Sequence, residues 1–515
     1  MRTAINNRCL ALALMLCCAL PTVALTVPAP PAVEMLTQRQ PASPLIAVRL
    51  LFEVGSADDP AGKEGLACLT SAMIGQAATS ERSFAELVEA LYPMAAAIEV
   101  SCDREVTVIS GSVHRDHLEA YTELLLEALL RPAFAGDDFE RNRELATTYL
   151  TANLRSGSDE LLGLEALQGA IFADHPYQHP PLGTVQGLAA IGLDDIQAFY
   201  RSHYVLRRLI VGLGGGFPES YPAHLETALR GLPEGKARVG EIPAPKPIEG
   251  RHFRLIEKET ASVGIHLGFP LPLDRSAADY YPLMVANSFL GEHRTFHGRL
   301  MQQLRGVRGL NYGDYSYIEY YDSPPFTSNP TPNVPRRQQY FSVWVRPVVP
   351  KTAHFALRAA LSEVDRLIDR GLTEEEFELT RDFLINYSKL WARSFETRLG
   401  FELDSRYYGM PSFIAEIERR LRALTVEEVN AAVRKYLSTD DYVAVLVTGD
   451  GDGLRQALVA DEASPITYEA AVPEAIQKAD REIEKRPIEA TRVEVIPVSE
   501  MFEGGPKKPA AGGPS

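Results

Sequence analysis

Three sets of side chains in this 515-residue chain have types and spacings that could do chemistry. They are a thiol at the head of an apolar segment, two pairs of histidines, and an arginine followed seven residues later by a tyrosine. The thiol is Cys68, within Gly65-Leu66-Ala67-Cys68-Leu69-Thr70-Ser71-Ala72-Met73. A cysteine nucleophile needs a base beside it, and a zinc site needs three or four deprotonated N, S or O donors at about 2.0–2.3 Å. No histidine lies near Cys68 in sequence, so it reads as a small buried apolar residue. His175 and His179 lie in His175-Pro176-Tyr177-Gln178-His179-Pro180-Pro181, where proline forbids the helical i, i+4 geometry of a two-histidine ligand set. His114 and His117 fall at a strand-to-helix turn and read as solvent-facing. Arg305 and Tyr312 are a guanidinium and a phenol, donors suited to a peptide carbonyl and to the oxyanion that forms when it is attacked. They also suit plainer roles, Arg305 as a cation at a helix C-terminus and Tyr312 as a strand aromatic.

The elements that must position these residues follow from periodicity. An apolar strand over 47–54 leads through the turn Gly55-Ser56-Ala57-Asp58-Asp59-Pro60 into a helix over 65–76 that carries Cys68, Ser71 and Ala72. A helical segment over 84–91 and a period-two strand over 98–113 follow. Leu118, Tyr121, Leu125 and Leu129 recur at helical spacing until Arg131-Pro132 stops them. The next helix, over 139–154, opens on Asp137 and Asp138 at its positive dipole end and carries Asn142 and Tyr149. A helix over 193–204 and a strand over 209–213 complete the first half. Beyond a Pro/Gly/Lys-rich stretch the pattern repeats. Asp137-Asp138-Phe139-Glu140 returns as Glu375-Glu376-Phe377-Glu378, and Leu193-Asp194-Asp195-Ile196 returns as Val426-Glu427-Glu428-Val429. Two matches at nearly one offset mean an internal duplication.

The expected organisation is a leader over 1–25, a linker over 26–42, one half over 43–235, a second linker over 236–252, a second half over 253–470, and a disordered tail over 471–515. A chain this long exceeds one hydrophobic core. The net charge of −16, with no basic run, excludes nucleic acid as a partner. Arg2 and Arg8 precede an apolar stretch too short to span a bilayer comfortably, which reads as an export signal. An exported, periplasmic protein without a membrane span is expected. Three of the five cysteines fall in the leader. Cys68 and Cys102 remain, each within a regular element, and are expected as two buried thiols rather than a disulfide. A Pro-rich insertion over 322–335 is either a contact loop or an inert surface excursion.

The order of strand, turn and Gly-Leu-Ala helix resembles the active-site entry of the pitrilysin/insulinase zinc peptidases, whose helix carries H-x-x-E-H. In this sequence those five positions are Cys68-Leu69-Thr70-Ser71-Ala72. The family's third ligand corresponds to Tyr149 and a supporting glutamate to Asn142. The resemblance covers roughly 43–450 and implies an α+β fold of two homologous α/β-layer halves, of the LuxS/mitochondrial-processing-peptidase-like type, forming a clam-like chamber. It also implies that this chain binds no zinc. The run Gly298-Arg299-Leu300-Met301-Gln302-Gln303-Leu304-Arg305 with Gly309-Leu310-Asn311-Tyr312 resembles the family segment that holds the substrate carbonyl, and this register favours substrate binding for Arg305 and Tyr312. The implied role is a non-catalytic subunit whose partner supplies H-x-x-E-H and the zinc, acting on a peptide or unfolded protein. A structural or chaperone-like binding protein is the alternative.

Overall fold

The computed structural model describes residues 33–238, 240–321, 327–468 and 471–505. The expected leader over 1–25 lies outside them. The first half contains β1 (Glu34–Arg39), β2 (Leu45–Phe52), β3 (Glu99–Cys102), β4 (Thr107–His114) and β5 (Leu209–Gly215). Its helices are α1 (Leu66–Gly75), α2 (Phe84–Leu91), α3 (Leu118–Leu130), α4 (Gly136–Thr148), α5 (Asp159–Ile171), α6 (Val185–Ala190), α7 (Leu193–His203) and α8 (Tyr221–Leu229). The second half contains β6 (Arg251–Glu257), β7 (Val263–Leu271), β8 (Asp314–Tyr317), β9 (Gln339–Val348), β10 (Tyr442–Thr448) and β11 (Arg492–Pro497). Its helices are α9 (Tyr280–Gly291), α10 (Ala353–Arg370), α11 (Glu374–Trp391), α12 (Phe395–Tyr407), α13 (Phe413–Ala423), α14 (Val426–Tyr436), α15 (Gly451–Ala460) and α16 (Glu474–Ile483).

The duplication is visible in the sheets. One sheet has the order β1-β5-β2-β4-β3, and the other repeats it as β6-β10-β7-β9-β8 with β11 added at the β6 edge. In both five-strand orders the first pair is parallel and the remaining pairs are antiparallel, and β11 adds to β6 as a further parallel strand. This is the expected α+β architecture of two related halves. β5 and β10 are buried along their whole length, the pattern of strands covered on both faces.

Part of that cover is exchanged between the halves. α5 packs on β7 and β10 of the second sheet, placing Leu162, Leu167 and Ile171 with Val443 and Val445. α12 packs on β5, β1 and β2 of the first sheet. Gly214 of β5 makes room for it, since a Cβ there would stand 2.9 Å from a ring carbon of Phe395.

Ion pairs hold the seam between the halves. The 98–113 stretch is a hairpin rather than one strand, and its turn buries Asp103, Arg104 and Glu105. Arg336, at the end of the Pro-rich insertion, donates from Nε and Nη2 to Asp103 at 2.8 and 2.7 Å and from Nη1 to Gln168 at 2.7 Å. The hydroxyls of Tyr177 and Tyr407 both donate to Glu105. Arg336 is the residue that follows the insertion; within it Asn333 is buried, accepts from Arg49 of β2 and donates to the Gly400 carbonyl of α12 at 3.0 Å, so the described end of the insertion is tied into the seam.

Two segments differ from expectation. The linker over 26–42 contains β1, which pairs with β5 from Glu34 to Arg39. The tail over 471–515 contains α16 and β11, and β11 pairs with β6 from Arg492 to Pro497. After β11 the chain crosses to the first half. The amides of Val185 and Gln186 donate to the carbonyls of Phe502 and Glu503 at 3.0 and 2.9 Å, and Arg155 Nε donates to the carbonyl of Met501 at 2.6 Å. Sequence reading missed both because their stability comes from partners distant in sequence. β11 is only half-buried and its flanks are charged and proline-rich. Residues 506–515 of the expected tail lie outside the described residues.

Candidate functional site

The chain enters α1 over a buried carboxylate. Asp59 accepts the amides of Gly65 and Ala67, both at 2.7 Å, which satisfies two of the free N–H groups of the first helical turn. Burial lifts its pKa to about 8 against the pull of those two donors.

Further along α1, Cys68 is joined to Cys102 by a disulfide with a Cα–Cα distance of 5.4 Å. This corrects the expectation of two free thiols. The two cysteines do occupy separate regular elements, but the fold lays the end of β3 directly on α1. The helix has no side chain at Gly75, where a Cβ would come within 2.2 Å of Val100. The remaining positions are settled locally. The Ser71 hydroxyl donates to the Cys68 carbonyl at 2.7 Å. Ala72 carries no donor. Asn142 Nδ2 donates to the carbonyls of Asp138 and Gln76 at 2.9 and 3.3 Å. Tyr149 begins a wide-turn segment over Tyr149–Gly157 that continues α4.

Cys68, Ser71, Ala72, Asn142 and Tyr149 therefore meet around one cleft of ~300 Å³, whose wall also includes Cys102, Val100 and Leu145. The donor set does not fit zinc. Its only sulfurs are spent in a disulfide, and an alanine and a tyrosine stand where ligands would be needed. Among the described residues no group of three His, Cys, Asp or Glu side chains could hold a metal ion. His175 Nδ1 accepts the amide of Tyr177 and its Nε2 contacts the carbonyl of Pro243. His179 is paired with the carbonyl of Pro180. Burial lowers the pKa of both imidazoles, so they serve the loop.

Arg305 and Tyr312 do not line this cleft. They come together elsewhere. The segment Met301–Gly306 is a wide helical turn in which the Val307 amide reaches back to the Gln302 carbonyl at 2.8 Å, an arrangement frequent at functional sites. The Arg305 guanidinium lies 4.9 Å over the Tyr312 ring and 5.1 Å over Phe296. Arg346 also approaches the Tyr312 ring, at 5.2 Å from its centroid, and its Nε donates to Glu160 on α5 at 2.7 Å. Tyr312 is 70% exposed and is a loop residue ahead of β8, not the strand aromatic of the plainer reading. Beneath it Asp314 is fully buried. Its Oδ1 accepts from Asn311 at 2.6 Å and its Oδ2 has no partner. Burial pushes that carboxyl up to about 7. Sequence reasoning missed Phe296, Arg346 and Cys102 as members of these sites, because none belongs to a local motif.

Two family models match the chain: "Insulinase (Peptidase family M16)" over residues 34–185 and "Peptidase M16 inactive domain" over residues 190–384. The chain is 24% identical to the non-peptidase homologue YmxG of Helicobacter pylori, across 79% of this chain and 89% of that protein. It is also 24% identical to an uncharacterised zinc protease of Mycobacterium bovis, across 81% of this chain and 91% of that protein. The crystal structure of a peptidase M16 inactive domain from Pseudomonas fluorescens superposes with a TM-score of 0.71 at 22% identity, covering 81% of this chain and 95% of that one.

Proposed function

This chain belongs to the insulinase (peptidase M16) family, and from that membership we propose that it is the non-catalytic, substrate-binding subunit of an exported zinc metallopeptidase heterodimer. A separate subunit carries H-x-x-E-H and holds the zinc. This chain contributes Arg305 and Tyr312 to a shared peptide-binding chamber, where they bind and orient the carbonyl of a peptide or unfolded protein. The observation that carries the reading is the contrast between the two sites. The metal-ligand positions are closed by a disulfide and by hydrogen bonds within the helix, while Tyr312 stands exposed with the half-buried Arg305 guanidinium against its ring. The first sheet also ends in β3, an edge strand paired on one side only by β4 and bordering the cleft. Such an edge can take an extended peptide as an added strand. Export is supported by the leader-like N-terminal sequence and by the disulfide, which persists in oxidising compartments.

The test is peptidase activity of the purified chain, alone and mixed with an H-x-x-E-H relative from the same organism, with bound zinc quantified in each sample. Silence and no zinc in the chain alone, with activity in the mixture, is the expected result. Activity or stoichiometric zinc in the chain alone overturns the reading. Binding of unfolded protein without proteolysis in any mixture, unaffected by replacing Arg305 and Tyr312, would instead support a chaperone-like role.

A further inference from the structure

The exposed face around Arg305 is built as a stack. Phe296, Arg305, Tyr312, Arg346 and Trp344 follow one another as ring, guanidinium, ring, guanidinium, ring, with centroid distances of 5.1, 4.9, 5.2 and 5.7 Å. The two rings that flank Arg305 are open to solvent, Phe296 at 66% and Tyr312 at 70%. Each guanidinium in such a stack uses its flat faces on the rings and keeps its N–H donors at the edge, in plane. Arg346 spends those donors on Glu160. The only acceptor within reach of Arg305 among the described residues is the sulfur of Met301 at 4.0 Å. A chain with 68 acidic and 52 basic side chains has here a guanidinium between two exposed rings, with the buried Asp314 carboxyl as a nearby counter-charge but with no hydrogen bond from its donor edge to any carboxylate among the described residues.

We propose that this stack is a recognition surface for acidic peptide segments, in which a substrate or partner carboxylate meets the donor edge of Arg305 and a neighbouring apolar side chain lies on Phe296. The inference rests on the reading of Arg305 and Tyr312 as peptide-binding residues and adds a charge preference and a third contact, Phe296. The rings pre-order the guanidinium, so little side-chain entropy is lost on binding. Charge-assisted contacts of this kind are about twice as strong as neutral ones. Aromatic and arginine side chains are those that most often dominate binding energy at interfaces.

The experiment is fluorescence anisotropy of the purified full chain with three dye-labelled unstructured peptides of equal length. One is rich in Glu and Phe, the second replaces each Glu by Gln, and the third replaces each by Lys. The acidic peptide is expected to bind about tenfold more tightly than the Gln peptide at low salt and to lose that advantage in high salt. Arg305→Gln should erase the preference, Phe296→Ser should weaken the acidic and Gln peptides alike, and Arg419→Gln, on the exposed face of α13, should change nothing. Both site residues are on the surface, and thermal melting confirms that the variants fold. Binding that is blind to charge but lost in Tyr312→Ala overturns the acidic preference while leaving peptide binding intact. Acidic binding that survives Arg305→Gln also overturns it. Failure of all three peptides to bind overturns both readings.

Discussion

At the start of α1 the groups at the family's ligand positions are tied up from within the protein. The helix N-terminus is capped by Asp59, Ser71 is bonded to its own helix, and Cys68 is bonded covalently to Cys102. Around Arg305 the reverse holds, with rings open to solvent and a guanidinium edge that meets only a thioether. One region has been made into structure and the other left available. A substitution near the first should therefore cost stability, and a substitution in the second should cost function while leaving stability within about 0.5 kcal/mol.

The largest effect is expected from Arg336→Ala at the seam beside the closed site. It strands the buried carboxylate of Asp103 and removes the bond to Gln168. Losing one partner of a buried pair costs about 3–5 kcal/mol, which chemical denaturation would read. Arg305→Ala should leave denaturation unchanged but lower kcat/KM of the reconstituted heterodimer by about 10²–10³, as loss of an oxyanion donor does. An Arg305→Ala variant that unfolds early would break the comparison, because the open site would then be structural too.

Replacing both Cys68 and Cys102 by Ser releases a loop with a sequence separation of 34 residues. The expected loss is about 2–4 kcal/mol in denaturation, with no effect on zinc content. Asp314 gives a pH signature under the open site. Its folded pKa of about 7 lies above the ordinary carboxylate value, so the folded state holds this proton more tightly than the unfolded one. The stability it contributes is complete at acid pH, below the unfolded value, and is lost as pH rises through about 7. The slope from this group approaches ~1.4 kcal/mol per pH unit in that window. Asp314→Asn should flatten that part of the stability profile, and an unchanged profile would refute the assignment. The smallest effect is expected from Glu503→Ala. This removes only its half-exposed pair with Arg155 across the two halves and should cost about 0.2–1 kcal/mol in denaturation.

Much of the fold was legible because its signals are local. The helix that begins at Leu66 and the repeated acidic helix starts, Asp137-Asp138 with Glu375-Glu376 and Asp194-Asp195 with Glu427-Glu428, are all written in short segments. The duplication that they revealed is the repeated strand order. What was not legible depends on contacts between distant segments. β1 is a strand because β5 is beside it, and β11 because β6 is. The helix exchange of α5 and α12 leaves no local trace beyond the glycines of β5.

The candidate site divides in the same way. Loss of zinc chemistry was determined by residue type alone, since Ala72 has no donor and no fold can provide one. The pairing of Cys68 with Cys102 was decided by tertiary structure, because disulfide formation depends on Cα separation and direction rather than on sequence distance. The same is true of the stack around Arg305. The sequence places Arg305 and Tyr312 seven residues apart, but only the folded chain brings Phe296 and Arg346 to either side of them. Side-chain chemistry is a property of one residue and can be read from a list. Availability depends on which neighbours the backbone has brought within reach, and that is set only when the two halves pack.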